Sequence, residues 1–193
     1  MNCDIHLTDK LAVYFQEVKK GLGLPWSPPC VNTSLATFDV QDGTLVYGLG
    51  ALKNVGVDAM GLIVDARLAD GAKPFSTLFD LARRVDLKRV GKRPMEMLAR
   101  AGAFDVLDPN RRKVFASLDA LVGYSSEIHD QKNSNQVSLF GEAGDDLPEP
   151  RLSGVEDWLP AERLSEEFKA VGFYLSGHPV SYTHLTLPTK RIA

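Results

Sequence analysis

A glycine-rich segment between Gly48 and Ala59 carries the first pattern that could do chemistry. A short helix, an Asn-Val-Gly turn at positions 54–56 and a second helix would form a helix-hairpin-helix. Such a turn needs backbone that bulky side chains do not cover, and the amides of Val55 and Gly56 and those of the next helix's first turn could then point at a DNA phosphate. Asn54 stands where glycine is more usual, and asparagine tolerates left-handed backbone. The predicted contact residues are Lys53, Asn54, Val55, Gly56 and Val57.

This contact would hold the DNA backbone without reading bases. Glycine pairs are common, however, so the motif alone leaves a plain tight turn open as an alternative. A second candidate hairpin, at 95–107, favours DNA because ten Lys and Arg against four Asp and Glu lie between Arg83 and Lys113. Solvated helix faces would give the same composition. The hairpin has fewer glycines, which suits a structural role that leaves phosphate contact to the first. Its predicted DNA-binding residues are Lys88, Arg89, Lys92, Arg93, Arg111, Arg112 and Lys113.

The region Ser125–Pro150 is rich in polar residues and predicts a flexible linker that cannot build a core. One apolar island interrupts it and has the pattern of a docking peptide: two apolar anchors follow a glutamine that can hydrogen-bond at a pocket rim. An incidental piece of the folded core remains the alternative. From Glu142 to Glu167, nine acidic residues against two basic ones predict a part that stays off a polyanion. The island consists of Gln136, Val137, Ser138, Leu139 and Phe140.

Candidate catalytic groups are scattered. The four histidines, at 6, 129, 178 and 184, show no metal-ligand spacing, and no Walker A loop, nucleophile elbow or dinucleotide fingerprint occurs. Asp4 is a candidate active-site carboxylate without an evident partner. We therefore predict no catalytic residue, metal or cofactor in this chain, which speaks against a small enzyme with its own active site.

The composition is that of an ordinary globular protein. Hydrophobic residues make up 44% and charged residues 24% of 193 residues. Cys3 and Cys30 stand alone, which suits a reducing compartment. Neither a signal peptide nor an apolar run approaching the ~18 residues of a membrane span is found. We expect a cytoplasmic protein without a membrane partner.

The periodicity predicts a mainly α fold with one short β-hairpin near the N-terminus. Strands at 37–40 and 44–47 would flank Gln41-Asp42-Gly43, after a proline-rich connector at 23–32. Asp108-Pro109 would cap the longest helix. The other predicted helices are 8–21, 58–68, 77–85, 93–101 and 158–170.

Taken in order, these segments resemble the alpha-subunit family of bacterial DNA polymerase III, the C-family replicative polymerases. The resemblance covers about 180 of the 193 residues. The motifs that carry it are Met1-Asn2-Cys3-Asp4, Pro28-Pro29-Cys30-Val31-Asn32, Tyr47-Gly48-Leu49-Gly50-Ala51-Leu52-Lys53, Phe75-Ser76-Thr77-Leu78-Phe79-Asp80, Arg100-Ala101-Gly102-Ala103-Phe104-Asp105, Gln136-Val137-Ser138-Leu139-Phe140-Gly141 and Gly172-Phe173-Tyr174-Leu175-Ser176-Gly177-His178-Pro179.

The resemblance implies both an organisation and partners. Residues 136–140 look like the family's internal motif for the sliding clamp (beta subunit), and double-stranded DNA is the other implied partner. The implied parts are the end of the fingers region at 1–44, a tandem helix-hairpin-helix domain at 45–124, a flexible linker with the clamp motif at 125–150 and a helix leading toward an OB-fold at 151–180. Residues 181–193 lie outside the resemblance and are similar to translated library adapter, so we expect a non-native tail there; a genuine short basic tail is the alternative.

The family's remaining parts are not expected in this chain. The PHP domain, the palm aspartates that hold Mg²⁺, the OB-fold and the regions that bind other holoenzyme subunits are missing from the pattern. We therefore expect no polymerase activity, since two-metal nucleotidyl transfer needs those aspartates. Two alternatives stay open: a free-standing helix-hairpin-helix repair factor, and an error-prone paralogue, which the intact pentapeptide disfavours.

Overall fold

Helices dominate the fold. The structure, a computed structural model, describes residues 1–69, 71–133 and 147–177. A π-helical turn, Glu17–Gly21, extends the first helix, and short 3₁₀ helices occupy Asn2–Asp4 and Leu49–Ala51. The predicted mainly α fold is confirmed. In the described ranges the α-helices are α1 Thr8–Gln16, α2 Val57–Ala69, α3 Leu78–Arg84, α4 Leu87–Val90, α5 Lys92–Ala101, α6 Arg111–Ala116, α7 Leu118–Asn133 and α8 Pro160–Val171.

A three-stranded sheet lies between α1 and α2 in the sequence. Its strands are β1 Trp26–Ser27, β2 Asp39–Gln41 and β3 Thr44–Val46, in the order β1-β3-β2. The predicted hairpin is β2–β3, and its turn residues Asp42 and Gly43 have φ of 48° and 76°, as a two-residue Asp-Gly hairpin requires. The sequence missed β1, which pairs parallel to β3. β1 gave no strand pattern in the sequence, because only two residues of the proline-rich connector pair with β3.

The core forms where α7 packs against α3, α4, α5 and α6, while α5 also packs against α8. Apolar side chains from these helices and α2 interlock there, so one core joins both predicted hairpins. Its largest fully buried side chains include Met60, Ile63, Leu81, Leu87, Met95, Leu98, Phe104 and Leu118.

A buried guanidinium fastens the loop between β1 and β2 to α2. Arg67 is 6% exposed and donates from one nitrogen to the carbonyl oxygens of Val31 at 2.8 Å and Ser34 at 2.9 Å. Burial lowers the pKa of this guanidinium. Asn32, in the same loop, exchanges two hydrogen bonds with the backbone of Phe75. The loop is thereby tied to α2 and to the segment that enters α3.

The predicted long helix from Asp108 is two helices. Its start lies later than expected because Asn110 is the cap: its side chain accepts from the amide of Lys113 at 2.8 Å, whereas Asp108 accepts from the amide of Asn110. The break falls at Ser117, with φ −99° and ψ 0°. The Ser117 hydroxyl accepts from the amide of Ser153 at 2.8 Å, so a tertiary contact is made where the helix breaks.

The predicted linker begins too early in the sequence. α7 continues to Asn133, and Ser125 and Ile128 are buried in the core. The Ser125 hydroxyl donates to the carbonyl of Val85 at 2.9 Å and accepts from the amide of Leu87 at 3.1 Å. Because both hydrogen-bonding functions are satisfied, this polar residue can be buried at little cost. Polar composition at 125–133 therefore did not indicate a linker.

Replacing Arg67 with methionine should destabilise the protein by about 2–3 kcal/mol, because two buried carbonyls lose a charged donor. Arg93 is exposed, so Arg93→Met should shift the free energy of unfolding by no more than about 0.5 kcal/mol. Urea denaturation of both variants measures the difference. Equal midpoints would show that the buried guanidinium does not fasten the loop.

Candidate nucleic-acid interface

The first hairpin has the predicted order of helix, turn and helix. The 3₁₀ helix Leu49–Ala51 leads into a turn that ends where α2 begins at Val57. Asn54 has φ 58°, so this position has left-handed backbone, which asparagine tolerates better than most residues. Asn54 and Gly56 are exposed, and Val55 is buried in the core.

Of the amides that the sequence predicted as phosphate ligands, that of Val55 is occupied, whereas those of Gly56 and the start of α2 are free. The Val55 amide, an expected phosphate ligand, donates to the carbonyl of Leu52 at 3.2 Å, and the Lys53 amide donates to Ala170 at 2.8 Å. Nothing in the described part of the chain accepts from the amides of Gly56, Val57 or Asp58. These three donors at the start of a 13-residue helix are available to an anion.

A cleft of about 500 Å³ adjoins this turn. Its walls are the hairpin, 51–56, and three residues from the N-terminus, Ile5, His6 and Thr8. The N-terminal segment is therefore part of the candidate interface, which the sequence did not suggest. No signal could have shown this, because the contact depends on how α1 packs.

The glycines of this segment serve different purposes. A β-carbon at Gly50 would lie 2.7 Å from the carbonyl oxygen of Ala36 and 2.8 Å from Val57, and one at Gly48 would overlap the backbone of Thr37. The Gly-Leu-Gly pair therefore permits close packing inside the protein. A β-carbon at Gly56 would meet nothing within 4 Å. Only at Gly56 is the missing side chain left for a ligand to exploit.

The second hairpin is closed to an anion. Gly102 ends α5 in left-handed conformation, φ 81°, and the Arg111 guanidinium lies over it. At the start of α6 the Asn110 side chain accepts from the amide of Lys113, and Asp157 accepts from the amide of Arg112 at 3.2 Å. With the Asn110 amide donating to Asp108, three of the amides at this helix start are occupied, which favours the structural role considered for this hairpin.

The predicted basic residues fall into two groups. Arg111 is 12% exposed and donates to both carboxylate oxygens of Asp105, at 2.8–3.1 Å; Lys113 pairs with Asp108 at 2.5 Å, and Lys92 with Asp119 at 2.6 Å. The hydrogen bond to Asp119 raises the pKa of Lys92. The second group is exposed, and its side chains have no partner in the part of the chain that the structure describes. It consists of Lys88, Arg89, Arg93 and Arg112.

The predicted helix at 158–170 makes tertiary contacts that the sequence did not indicate. α8 lies along α5, where Arg100 pairs with Glu166 at 2.6 Å and Arg163 with Asp105 at 3.0 Å. Its last turn reaches the first hairpin through the hydrogen bond from Lys53 to Ala170. α8 thus touches both hairpins. Sequence reasoning missed it because the acidic residues that dock it resemble a solvated face.

Other predicted features have less to contribute. The pentapeptide 136–140 lies outside the described residues, as do His178 and His184. Asp4, expected without a partner, accepts hydrogen bonds from Lys10 at 2.9 Å and Tyr14 at 2.8 Å, which lower its pKa. The described residues contain no cluster of His, Cys, Asp and Glu that could hold a metal ion. Within those same residues, no helix has the length and apolar character needed to cross a membrane.

Comparison with known families agrees with this architecture. The family model described as helix-hairpin-helix motif matches residues 23–114, the part of the chain that contains both hairpins. Over 93% of its length the chain is 43% identical to DNA polymerase III subunit alpha of Caulobacter vibrioides and 39% identical to that of Vibrio cholerae. Over 92% it is 36% identical to that of Borreliella burgdorferi.

The chain is therefore a homologue of DNA polymerase III subunit alpha, and the resemblance that the motifs suggested is confirmed. It spans about 15% of the length of these relatives.

The glycine geometry yields a stability test. Gly50→Ala should destabilise the protein by about 1–3 kcal/mol, because the added methyl group overlaps backbone that has no room to move. Gly56→Ala should change stability by less than about 1 kcal/mol and could raise it, since the site is open and the unfolded chain loses freedom. Thermal melting of the two single variants is the measurement. Equal losses would contradict the assignment of Gly50 to packing and Gly56 to ligand access.

Proposed function

We propose that this segment holds duplex DNA without reading its sequence, as part of a replicative DNA polymerase acting in the bacterial cytoplasm. The observation that carries the proposal is the set of unused amide donors at Gly56, Val57 and Asp58 beside an open cleft. Backbone amides at a helix start suit a phosphate and give no base selectivity. The relatives, each a DNA polymerase III subunit alpha, support a role in replication.

The exposed basic residues would add the long-range attraction. Lys88, Arg89, Arg93 and Arg112 remain for phosphates because acidic neighbours engage the other predicted contacts. Lys53, partly buried at the hairpin itself, is the nearest cation to the free amides in sequence. Few side chains are thus available, so we expect weak binding. Because the contacts are made by charged groups, the affinity should fall steeply as the salt concentration rises.

We further propose that residues 136–140 dock on the bacterial sliding clamp and so contribute to processivity. The support is the sequence: Leu139 and Phe140 are adjacent apolar anchors, and Gln136 precedes them in a polar stretch. Such a peptide pays ordering entropy on docking, so micromolar affinity is expected. We assign nucleotidyl transfer with its Mg²⁺, and the contacts with other holoenzyme subunits, to other parts of the polymerase.

Gly56→Val should weaken duplex binding by roughly ten- to a hundredfold, because a branched side chain beside the free amides blocks charge-assisted hydrogen bonds to phosphate. The protein should fold normally, since a β-carbon there meets no atom within 4 Å. Fluorescence anisotropy with labelled blunt duplex measures affinity, and Gly154→Val, at another exposed and open glycine, is the matched control.

The salt dependence tests the side chains separately. Arg89→Gln should lower the slope of log affinity against log salt by about 0.9, the value for one phosphate contact. Lys20→Gln should leave the slope unchanged, because Lys20 lies at the far end of the helix that begins at Thr8. Binding that is insensitive to salt, or equal effects of both variants, would overturn the phosphate contact.

Replacing Leu139 and Phe140 with alanine in the whole chain should abolish most clamp binding, since one buried anchor is typically worth about 2 kcal/mol, roughly thirtyfold. Surface plasmon resonance on immobilised clamp is the measurement, and Ser138→Ala, which removes no anchor, is the control. If the island belongs instead to the folded core, the double variant melts at a lower temperature and binds the clamp as before.

A further inference from the structure

Two aromatic rings lie together at the carboxyl end of α8. The ring centroids of Phe168 and Tyr174 are 4.9 Å apart, with planes inclined by 38°. Gly172, in left-handed conformation at φ 93°, turns the chain so that Tyr174 returns beside the helix. Phe168 is 39% exposed on a helix whose other exposed residues are mostly polar or charged. Tyr174 is partly buried, so the exposed ring of the pair is that of Phe168.

Lys53 connects this pair to the first hairpin. Its amide donates to the carbonyl of Ala170, and its ammonium lies 5.8 Å from the centroid of Phe168. A β-carbon at Gly172 would overlap the side chains of Lys53 and Thr8, so the turn of α8 and the hairpin are in direct contact. The rings therefore stand next to the same turn that offers the free amides of Gly56 and Val57.

This juxtaposition matches the parts of a nucleotide. Amides and an ammonium suit a phosphate, and an aromatic face suits a base, the combination found where proteins bind single strands. The ammonium is near the ~6 Å limit of attraction to the ring, and at an exposed site such contacts are weak. Lys53 can therefore turn to a phosphate and leave the face of Phe168 to a base. Since paired bases are covered by their neighbours in the duplex stack, only an unpaired base can use that face.

We propose that Phe168 and Tyr174, with Lys53, form a stacking platform for an unpaired base of single-stranded DNA beside the first hairpin. The proposal rests on the phosphate contact proposed above and extends it: the segment prefers a duplex that carries a single-stranded extension over a blunt duplex.

The test compares three DNAs of the same duplex sequence: blunt, with a short single-stranded extension, and with an abasic extension of equal length. The abasic strand keeps every phosphate and removes the bases, so it separates stacking from charge. In anisotropy titrations of the whole chain we expect the normal extension to bind about tenfold more tightly than the abasic one, the effect of one stacked base. Equal affinities for these two DNAs overturn the platform without requiring any variant.

Phe168→Leu keeps an apolar side chain and removes the aromatic face. It should abolish the preference for the normal extension and leave blunt-duplex affinity unchanged, whereas Phe168→Tyr should retain the preference. Val106→Ala, at an exposed apolar residue of the second hairpin, is the control, and melting curves confirm folding.

If Phe168 instead contacts a second copy of the chain, Phe168→Leu changes the apparent mass in gel filtration and the preference persists, which overturns the platform. If the wild-type chain does not bind blunt duplex at all, the proposed phosphate contact is refuted instead. Failure of the platform and failure of the phosphate contact are therefore distinguishable.

Discussion

The arrangement of the interface depends on one buried carboxylate, that of Glu167. It is 2% exposed, and burying a charge of this kind is costly unless it is paired and hydrogen-bonded. One carboxylate oxygen accepts from the amides of Leu175 and Ser176 at 3.0 and 2.9 Å, and the other accepts from the Ser176 hydroxyl and lies 3.6 Å from Arg111. The charge is thereby satisfied only when the chain after α8 turns back and Arg111, at the start of α6, lies near α8. Both the platform and the support of the first hairpin follow from this closure.

The two hairpins have divided the work between them. In the second, amides at the helix start and the Arg111 guanidinium make internal contacts, with Arg111 bound to Asp105 and close to Glu167. The first leaves its helix start uncapped, which a folded protein tolerates where water or a ligand satisfies the donors. A backbone-binding site needs neighbouring structure that holds its open amides in place. α8 gives that support by contacting Arg100 in the second hairpin and Lys53 in the first.

The sequence predicted the features that depend on the conformation of one or two residues. The Asp-Gly turn, the left-handed Asn54 and the glycine end of α5 at Gly102 could be inferred because each depends on a backbone conformation that few residues accept. The break at Ser117 and the burial of Ser125 could not, since both depend on partners distant in sequence, Ser153 in one case and Val85 in the other. The candidate site shows the same division. The hairpin was predictable, but its cleft wall from residues 5–8 and its aromatic neighbours come from tertiary packing.

Charge shows most clearly how composition misleads without structure. The acidic stretch that begins near Glu142 predicted a part of the chain held away from the basic block, yet its described residues fold onto that block. Glu149 pairs with Arg83 at 2.6 Å and Glu166 with Arg100 at 2.6 Å. The Glu166–Arg100 pair is mostly buried, where an unpaired charge would be costly, whereas the Glu149–Arg83 pair is partly exposed. Lys88, Arg89, Arg93 and Arg112 remain exposed to solvent. A chain with net charge −3 can thus present a positive surface, because attraction to a polyanion depends on the local arrangement of charge within a Debye length and not on the sum.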